Sequence, residues 1–143
     1  MRDRQDVFRK VERTLFDYPL LAKRLAVREQ YLIARCNVSE GYIRANGQHT
    51  GMAIEERVML AKEKDVEYQT LQLKMTAVER AYEVLPHELK QLVELYYFKK
   101  RSRQTVASEL AISERSFYRL RNRAIEMCAQ VIGAEVLNAI SGR

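Results

Sequence analysis

The sequence is poor in the residues that break or cross-link a chain. Its 143 residues include only two prolines, five glycines, two cysteines and two histidines, and there is no tryptophan. So few helix breakers favour a mostly helical protein. Cys36 and Cys128 are too few for a disulfide scaffold, and we expect reduced thiols in a cytoplasmic protein. His49 and His87 stand in no zinc-binding spacing, so we predict no metal and no cofactor.

Long apolar runs are also missing. No stretch approaches the ~18 apolar residues of a membrane helix, and the charged residues 1–13 lack the apolar segment of a signal peptide. The chain has no glycine-rich phosphate-binding loop, and neither cysteine has a catalytic base nearby in the sequence. We therefore predict a binding protein and not an enzyme.

The positive charge is confined to one part of the chain. With 25 Lys and Arg against 19 Asp and Glu, the formal net charge is +6 and the isoelectric point is near 9.4. Residues 99–123 hold eight basic and two acidic side chains, while the rest of the chain has equal numbers of each sign. Such confinement is typical of a surface that binds a polyanion. A basic run can also be an ordinary solvated surface. The residue pattern within residues 99–123 must distinguish between these two interpretations.

Hydrophobic periodicity predicts an all-α fold in three parts. These are an N-terminal helical segment with a hinge loop, a long central helix and a helix-turn-helix DNA-binding domain, at residues 1–51, 52–85 and 86–143. Within the first part, helices are predicted before and after Pro19, because proline disfavours a helical residue before it. Residues 37–51 hold three of the five glycines and are the predicted hinge. A short terminal helix is predicted after Val131.

An apolar seam runs along the predicted central helix. Its spacing alternates between four and three residues with one phase break, through Ile54, Val58, Ala61, Asp65, Tyr68, Leu71, Met75, Val78, Tyr82 and Leu85. Two interpretations of this seam remain open. It packs on other helices of the same chain, or it forms the interface of a homodimer through residues 54–85.

Residues 102–123 predict a helix, a tight turn and a second helix. Ser102 and Ser113 are suitable N-caps, eleven positions apart. A small residue at the helix crossing, an apolar turn residue and two apolar anchors stand where this motif needs them, at Ala107, Ile112, Phe117 and Leu120. The caps, the inner face and the basic outer face all indicate a helix-turn-helix.

The outer face of the second helix predicts contacts with double-stranded DNA. In this motif the second helix enters the major groove, and arginine is the commonest reader of guanine. The predicted base contacts are Arg115, Ser116, Tyr118, Arg119 and Asn122. The predicted phosphate contacts, which position the protein without reading sequence, are Lys99, Lys100, Arg101, Arg103, Arg121 and Arg123.

These residues also carry a resemblance. Residues 79–125 are similar to region 4 of sigma factors, with its L-P-x-E-x-x-x-L-x-x-x-Y helix followed by a helix-turn-helix and a basic helix. More specifically, the run YYFKKRSRQTVASELAISERSFYRLRNRAIEMCAQVIG at 96–133 resembles the RinA and ArpU type of phage late-gene transcription regulators. Residues 53–85 and the early LFDYP at 15–19 fit the same layout.

The resemblance implies an activator of phage late operons for packaging, morphogenesis or lysis. It implies action with the host RNA polymerase in the bacterial cytoplasm. Tyr118 stands where sigma factors often have a charged residue, so a −35 element is not implied as the target. Two alternatives remain: a DNA-recognition subunit of the small-terminase kind in phage packaging, and a helical adaptor that binds RNA polymerase.

Overall fold

The computed structural model describes residues 2–45 and 52–141, which are entirely helical apart from the connections and contain no strand. The predicted all-α fold is confirmed. The helices are α1 Arg2–Ala45, α2 Ile54–Lys64, α3 Val66–Glu83, α4 His87–Val93, α5 Arg103–Glu109, α6 Glu114–Ile132 and α7 Ala134–Ile140. A π-helical turn at Glu94–Phe98 continues α4. In the part of the chain described, none of these helices has the length and apolar content that a membrane span requires.

The N-terminal segment differs from the prediction because α1 does not end at Pro19. The helix continues through this proline to Ala45. Proline removes one helical hydrogen bond and costs about 3 kcal/mol in a helix interior. Leu15 and Leu21 are buried on either side of it, and burying each contributes about 1.5–3 kcal/mol, which offsets that cost. The predicted hinge is also wrong at residues 37–45, which are helical; residues 46–51 lie outside the described residues.

The predicted central helix is two helices, because the chain is extended at Asp65. The Asp65 carboxylate accepts a hydrogen bond of 2.8 Å from the Tyr68 backbone N–H and so caps α3. Arg28 of α1 donates two further hydrogen bonds to the same carboxylate, at 2.8 Å from Nε and 2.6 Å from Nη2. The predicted seam therefore contains a capped helix start at Asp65, one step before its phase break between Tyr68 and Leu71.

The seam of α2 and α3 packs against α1 within the same chain. Four of its side chains are buried, namely Tyr68, Leu71, Val78 and Leu85. We use the name arm for residues 20–38 of α1 together with α2 and residues 66–73 of α3. No residue of α2 is buried. Of the two interpretations of the seam, packing within the chain is the one observed.

One hydrophobic core joins residues from all three predicted parts of the chain. It includes Val11 and Leu15 of α1, and Val78, Ala81 and Leu85 of the central part. A larger group comes from the C-terminal part: Leu89, Leu92, Val93, Tyr97, Val106, Ala107, Phe117, Leu120, Ala124, Ile125, Cys128, Ile132, Leu137 and Ile140. The predicted short terminal helix is present as α7. The first half of α1 therefore supports the helices that carry the basic residues. The three-part division itself stays a prediction.

The π-helical turn brings aromatic side chains onto α1. The Lys99 N–H donates to the Glu94 carbonyl at 2.8 Å, a bond that spans five residues instead of four. Tyr97 is fully buried, and its hydroxyl donates to the Glu12 carboxylate at 2.7 Å. Burial and this carboxylate raise the pKa of Tyr97. The Phe16 ring stands edge-on to Tyr97, with 4.6 Å between ring centroids, so α1 and the turn are held by both polar and aromatic contacts.

Candidate nucleic-acid interface

Both predicted N-caps are present. The Ser102 hydroxyl accepts the Thr105 backbone N–H at 3.1 Å at the start of α5. The Ser113 hydroxyl accepts the Ser116 backbone N–H at 3.1 Å at the start of α6. Serine caps of this kind stabilise a helix by about 1 kcal/mol. They fix the first residue of each helix, and so determine which side chains of α6 lie in its first two turns.

The connection between α5 and α6 is a tight turn with a defined hydrogen-bond pattern. The Ile112 N–H donates to the Ala107 carbonyl at 2.9 Å, and the Ala111 N–H donates to the Ser108 carbonyl at 3.2 Å. Ala111 has a left-handed φ of 56°. This is the Schellman ending of a helix, in which glycine is the usual residue at the left-handed position. Ala107 is buried at the crossing and Ile112 is half-buried, as the sequence predicted.

The inner face of α6 anchors the helix in the core. Its buried side chains are Phe117, Leu120, Ala124, Ile125, Cys128 and Ile132. The Phe117 ring stands edge-on to Tyr96, with 5.1 Å between centroids. Cys128 is a core thiol, as predicted, and burial raises its pKa to about 12. With this side fixed, the opposite side of α6 faces solvent.

That opposite side is the basic face, which we define as Arg115, Arg119, Asn122 and Arg123. All four side chains are exposed. At 3.6 residues per turn, Arg115, Arg119 and Asn122 lie within an arc of about 60°. Within residues 2–45 and 52–141, no carboxylate lies within ion-pair distance of either Arg115 or Arg119. Their guanidinium groups thus remain available to a bound anion.

Ser116 lies at the edge of the basic face and is half-buried. Its hydroxyl accepts a hydrogen bond of 3.1 Å from the Ser113 hydroxyl. It still has its own proton to donate. Ser116 therefore belongs to the cap of α6 and can also serve as a hydrogen-bond donor to a ligand.

The side chain of Tyr118, a predicted base contact, is in contact with two neighbouring arginines. The Arg103 guanidinium donates to its hydroxyl at 2.5 Å, and the Arg121 guanidinium lies 5.1 Å from the centre of its ring. Arg121 also lies 5.1 Å from the centre of the Phe8 ring of α1. We call the row Phe8, Arg121, Tyr118 and Arg103 the arginine–aromatic row. It connects α1, α6 and α5, and it gives Tyr118 an internal role beside any contact with a ligand.

The other predicted phosphate contacts differ in exposure and in their contacts within the protein. Lys99 and Arg123 are exposed. Arg101 lies 3.8 Å from the Glu109 carboxylate. Lys100 donates to the Phe16 carbonyl at 2.5 Å and lies 5.2 Å from the centre of the Phe16 ring. Lys100 is thus engaged with α1. The assignment of these residues to DNA phosphates stays a prediction.

Sequence reasoning missed the two aromatic residues of α1 that touch this region. Phe8 contacts Arg121, and Phe16 contacts Lys100. Both pairs are separated by more than eighty residues, so no local pattern links them. The arrangement as a whole places cationic and polar side chains together on one surface, which suits binding of a polyanion.

Comparison with known proteins gives a family and one curated relative. The family described as "Protein of unknown function (DUF722)" matches residues 7–130. The chain is 23% identical over 133 residues to "Transcriptional activator rinA" of Staphylococcus phage phi11, with 89% of this chain and 91% of that protein covered. No solved structure matches the chain. The resemblance to phage regulators of the RinA type is confirmed by this similarity.

The match covers most of the chain, so the protein belongs to the DUF722 family. The matched residues extend from the first turns of α1 almost to the end of α6. They therefore include Phe8 and Arg121 as well as the whole basic face.

Proposed function

We propose that the protein is a transcription regulator of a bacteriophage that binds double-stranded DNA in a sequence-specific manner and activates late genes. The observation that carries this proposal is the basic face of α6, which follows a capped tight turn. Its Arg115 and Arg119 have no ion-pair partner within residues 2–45 and 52–141. The similarity to a protein named as a transcriptional activator supports it. The resemblance to late-gene regulators supports packaging, morphogenesis or lysis genes as targets.

In this proposal α6 is the recognition helix of a helix-turn-helix. Arg115 and Arg119 read bases in the major groove, and Asn122 and Ser116 add hydrogen bonds there. Lys99, Arg103, Arg121 and Arg123 bind phosphates and set the register of the helix on the duplex. Tyr118 holds Arg103 and Arg121 in position. The protein acts beside the host RNA polymerase in the bacterial cytoplasm.

A nuclease footprint on the phage's own late-promoter DNA tests the proposal. We expect one protected site, retained in the presence of competitor DNA. The logarithm of the affinity should fall linearly with the logarithm of salt concentration, with a slope of about −0.9 for each phosphate contact. Equal binding to all fragments would contradict sequence-specific recognition.

A pair of variants separates base contacts from phosphate contacts. Arg119→Ala should cost about 1–3 kcal/mol of discrimination at one or two base pairs. Lys99→Ala should weaken binding to all sequences alike and reduce the salt slope by about one contact. Lys99 is the better comparison than Lys100, because Lys100 is engaged with α1. Identical behaviour of the two variants would refute the assignment of their roles.

A further inference from the structure

Large apolar side chains are exposed along one side of α1. Leu20 is 54% exposed, Val27 71%, Tyr31 47% and Val38 73%. Isolated exposed apolar residues are common on soluble proteins. These four, however, lie on the same side of one helix, about 100–120° around its axis from Leu21 and Leu32, which are buried against the rest of the arm.

The spacing of this exposed side is that of a coiled coil. The steps alternate strictly between four and three residues through six positions, which we call the α1 stripe: Leu20, Arg24, Val27, Tyr31, Ala34 and Val38. All six are exposed. One heptad earlier, the same side of α1 carries the exposed Arg13. The apolar stripe therefore begins where α1 leaves the main core and is confined to the arm.

We propose that the α1 stripe is the interface of an antiparallel dimer of this chain. The stripe is symmetric about residue 29, so an antiparallel second copy matches it position by position. Leu20 then lies opposite Val38 of the partner subunit, and Val27 lies opposite Tyr31 of the partner subunit. Arg24 lies opposite Ala34 of the partner subunit, whose small side chain leaves room for the arginine stem. Each pair occurs twice, as a two-fold interface requires.

A parallel pairing of the same stripe is disfavoured by charge. In register, it would bring Arg24 against Arg24 of the partner subunit within the apolar contact, with no carboxylate between them. The antiparallel pairing separates these two arginines by ten residues, or about 15 Å along the helix. The position of the single charged residue in the stripe thus selects the orientation, as a polar residue in a coiled-coil seam commonly does.

The flanks of the stripe are compatible with this pairing. On one side, Gln30 meets Gln30 of the partner subunit, and Lys23 meets Asn37 of the partner subunit. On the other side, the two copies of Arg28 approach each other. Each Arg28 is already bound by Asp65 at 2.6 Å and lies 3.4 Å from Glu67. Four carboxylates therefore accompany the two guanidinium groups, which removes the repulsion between them.

A groove along the stripe supplies space for the partner's side chains. Its volume is about 440 Å³, and it is lined by Lys23, Arg24, Val27, Arg28, Tyr31 and Glu67. Glu67 is 53% exposed at the rim, where it can meet basic side chains of a second α1. The stripe spans eighteen steps, or about 27 Å. A contact of that length is small for a specific interface, so we expect a dissociation constant on the order of 10 µM.

Sedimentation equilibrium of the full chain without DNA tests the proposal independently of the proposed function. We expect a monomer–dimer equilibrium that Val27→Asp weakens at least thirtyfold. Val84→Asp, the same substitution at an exposed valine outside the arm, should leave it unchanged. Arg24→Leu should tighten the dimer about tenfold, a gain that loss of folding cannot produce. A chain that stays monomeric at about 200 µM, or a dimer indifferent to Val27→Asp, would overturn the proposal.

Cysteine cross-linking tests the orientation. In a Cys36→Ser background, chains with Val27→Cys are mixed with chains with Tyr31→Cys and oxidised. The antiparallel pairing predicts that the disulfide joining positions 27 and 31 dominates, because disulfides need Cα atoms within about 7 Å. Dominant linkage between two copies of position 27 would indicate the parallel pairing and overturn the antiparallel one. Buried Cys128 can remain in both chains.

Discussion

Two regions of the protein differ in the interactions that hold them together. One is the group of helices around the basic face, and the other is the arm. Around α6, the chain buries a continuous apolar core with aromatic edge contacts. In the arm, α2 has no buried residue, and ion pairs contribute at its contacts: Arg28 with Asp65, and Lys62 with Glu29 at 2.9 Å. Because apolar burial is worth more than partly exposed ion pairs, the two regions should differ in stability.

This difference indicates a division of labour along α1. Its first half is part of the core and contacts the basic residues through Phe8 and Phe16. Its second half belongs to the arm, where ion pairs accompany a smaller group of buried side chains: Leu21, Leu32, Tyr68 and Leu71. A single continuous helix thus joins the main core to a region with less apolar burial, and substitutions in the two regions should have separable consequences.

The largest expected effect is in the core. Phe117 is 1% exposed, and Phe117→Ala should lower the free energy of unfolding by about 3–5 kcal/mol through loss of burial and a cavity. DNA binding should fall with it, since α6 loses its anchor. Urea denaturation followed by circular dichroism measures the change. Met59→Ala, at an exposed position of α2, should stay within about 0.5 kcal/mol of the parent. A small effect of Phe117→Ala would contradict the inference that apolar burial stabilises the region around α6 more than the contacts of the arm stabilise the arm.

A smaller effect is expected from Asp65→Asn, and it should depend on pH. Hydrogen bonds from Arg28 and from the Tyr68 N–H lower the pKa of Asp65 from 3.8 to about 2. A carboxylate with a lowered pKa in the folded state contributes stability above its unfolded pKa, and this is lost as pH falls. The difference in melting temperature between parent and variant should therefore be full at neutral pH and shrink between about pH 4 and pH 2.

Glu63→Gln is the matched control for Asp65→Asn, since Glu63 is an exposed carboxylate of the neighbouring helix. At neutral pH it should change the melting temperature less than Asp65→Asn does. The basic face should keep its affinity for DNA in both variants at neutral pH. If Asp65→Asn abolished DNA binding, the arm and the core would be one cooperative unit.

Phe8→Ala should reduce DNA affinity by a modest amount. The cation–π contact of Phe8 with Arg121 is worth about 0.5–1 kcal/mol at an exposed site, or about two- to fivefold. The salt dependence should also fall by up to about one phosphate contact, because Arg121 is no longer held in position. Phe8→Tyr should restore both quantities. Full restoration by Phe8→Leu would show that packing alone matters and that the ring does not position Arg121.

The smallest effect is on thiol reactivity. Burial raises the pKa of Cys128 to about 12, whereas Cys36 of α1 is only half-buried and lies in the arm. A thiol-specific reagent at mildly alkaline pH should label Cys36 in the folded protein and Cys128 only after the core opens. Asp65→Asn should speed labelling of Cys36 alone. Labelling of both cysteines at the same rate would contradict the prediction that the arm is less stable than the core.

Local features of the basic region could be predicted from sequence. Ser102 and Ser113 cap their helices through backbone groups three residues away, so their own sequence context determines the contact. The alternation of apolar and charged residues in α6 likewise identified its inner and outer faces. These predictions required no knowledge of distant contacts.

The errors arose where distant residues decide the outcome. Pro19 stays within a helix because neighbouring side chains are buried against other elements. Asp65 looked like a flaw in an apolar seam, but Arg28, thirty-seven residues away, makes it an ion-paired cap. Aspartate is a favoured N-cap residue, and the regular spacing of the seam through Asp65 obscured this signal. The assignment of Tyr118 to bases stays a prediction, but its contacts with Arg103 and Arg121 could not be predicted from the sequence.

The π-helical turn at Glu94–Phe98 has a consequence for insertions and deletions. An α-helix that contains such a turn holds one residue more than its regular form, and everything after that residue is rotated by about 100°. Deleting a single residue there would restore regular winding but move Tyr96 and Tyr97 away from Phe16 and Glu12, and turn α5 and α6 against α1. A one-codon deletion in this short stretch should therefore abolish function more completely than most substitutions in the basic face itself.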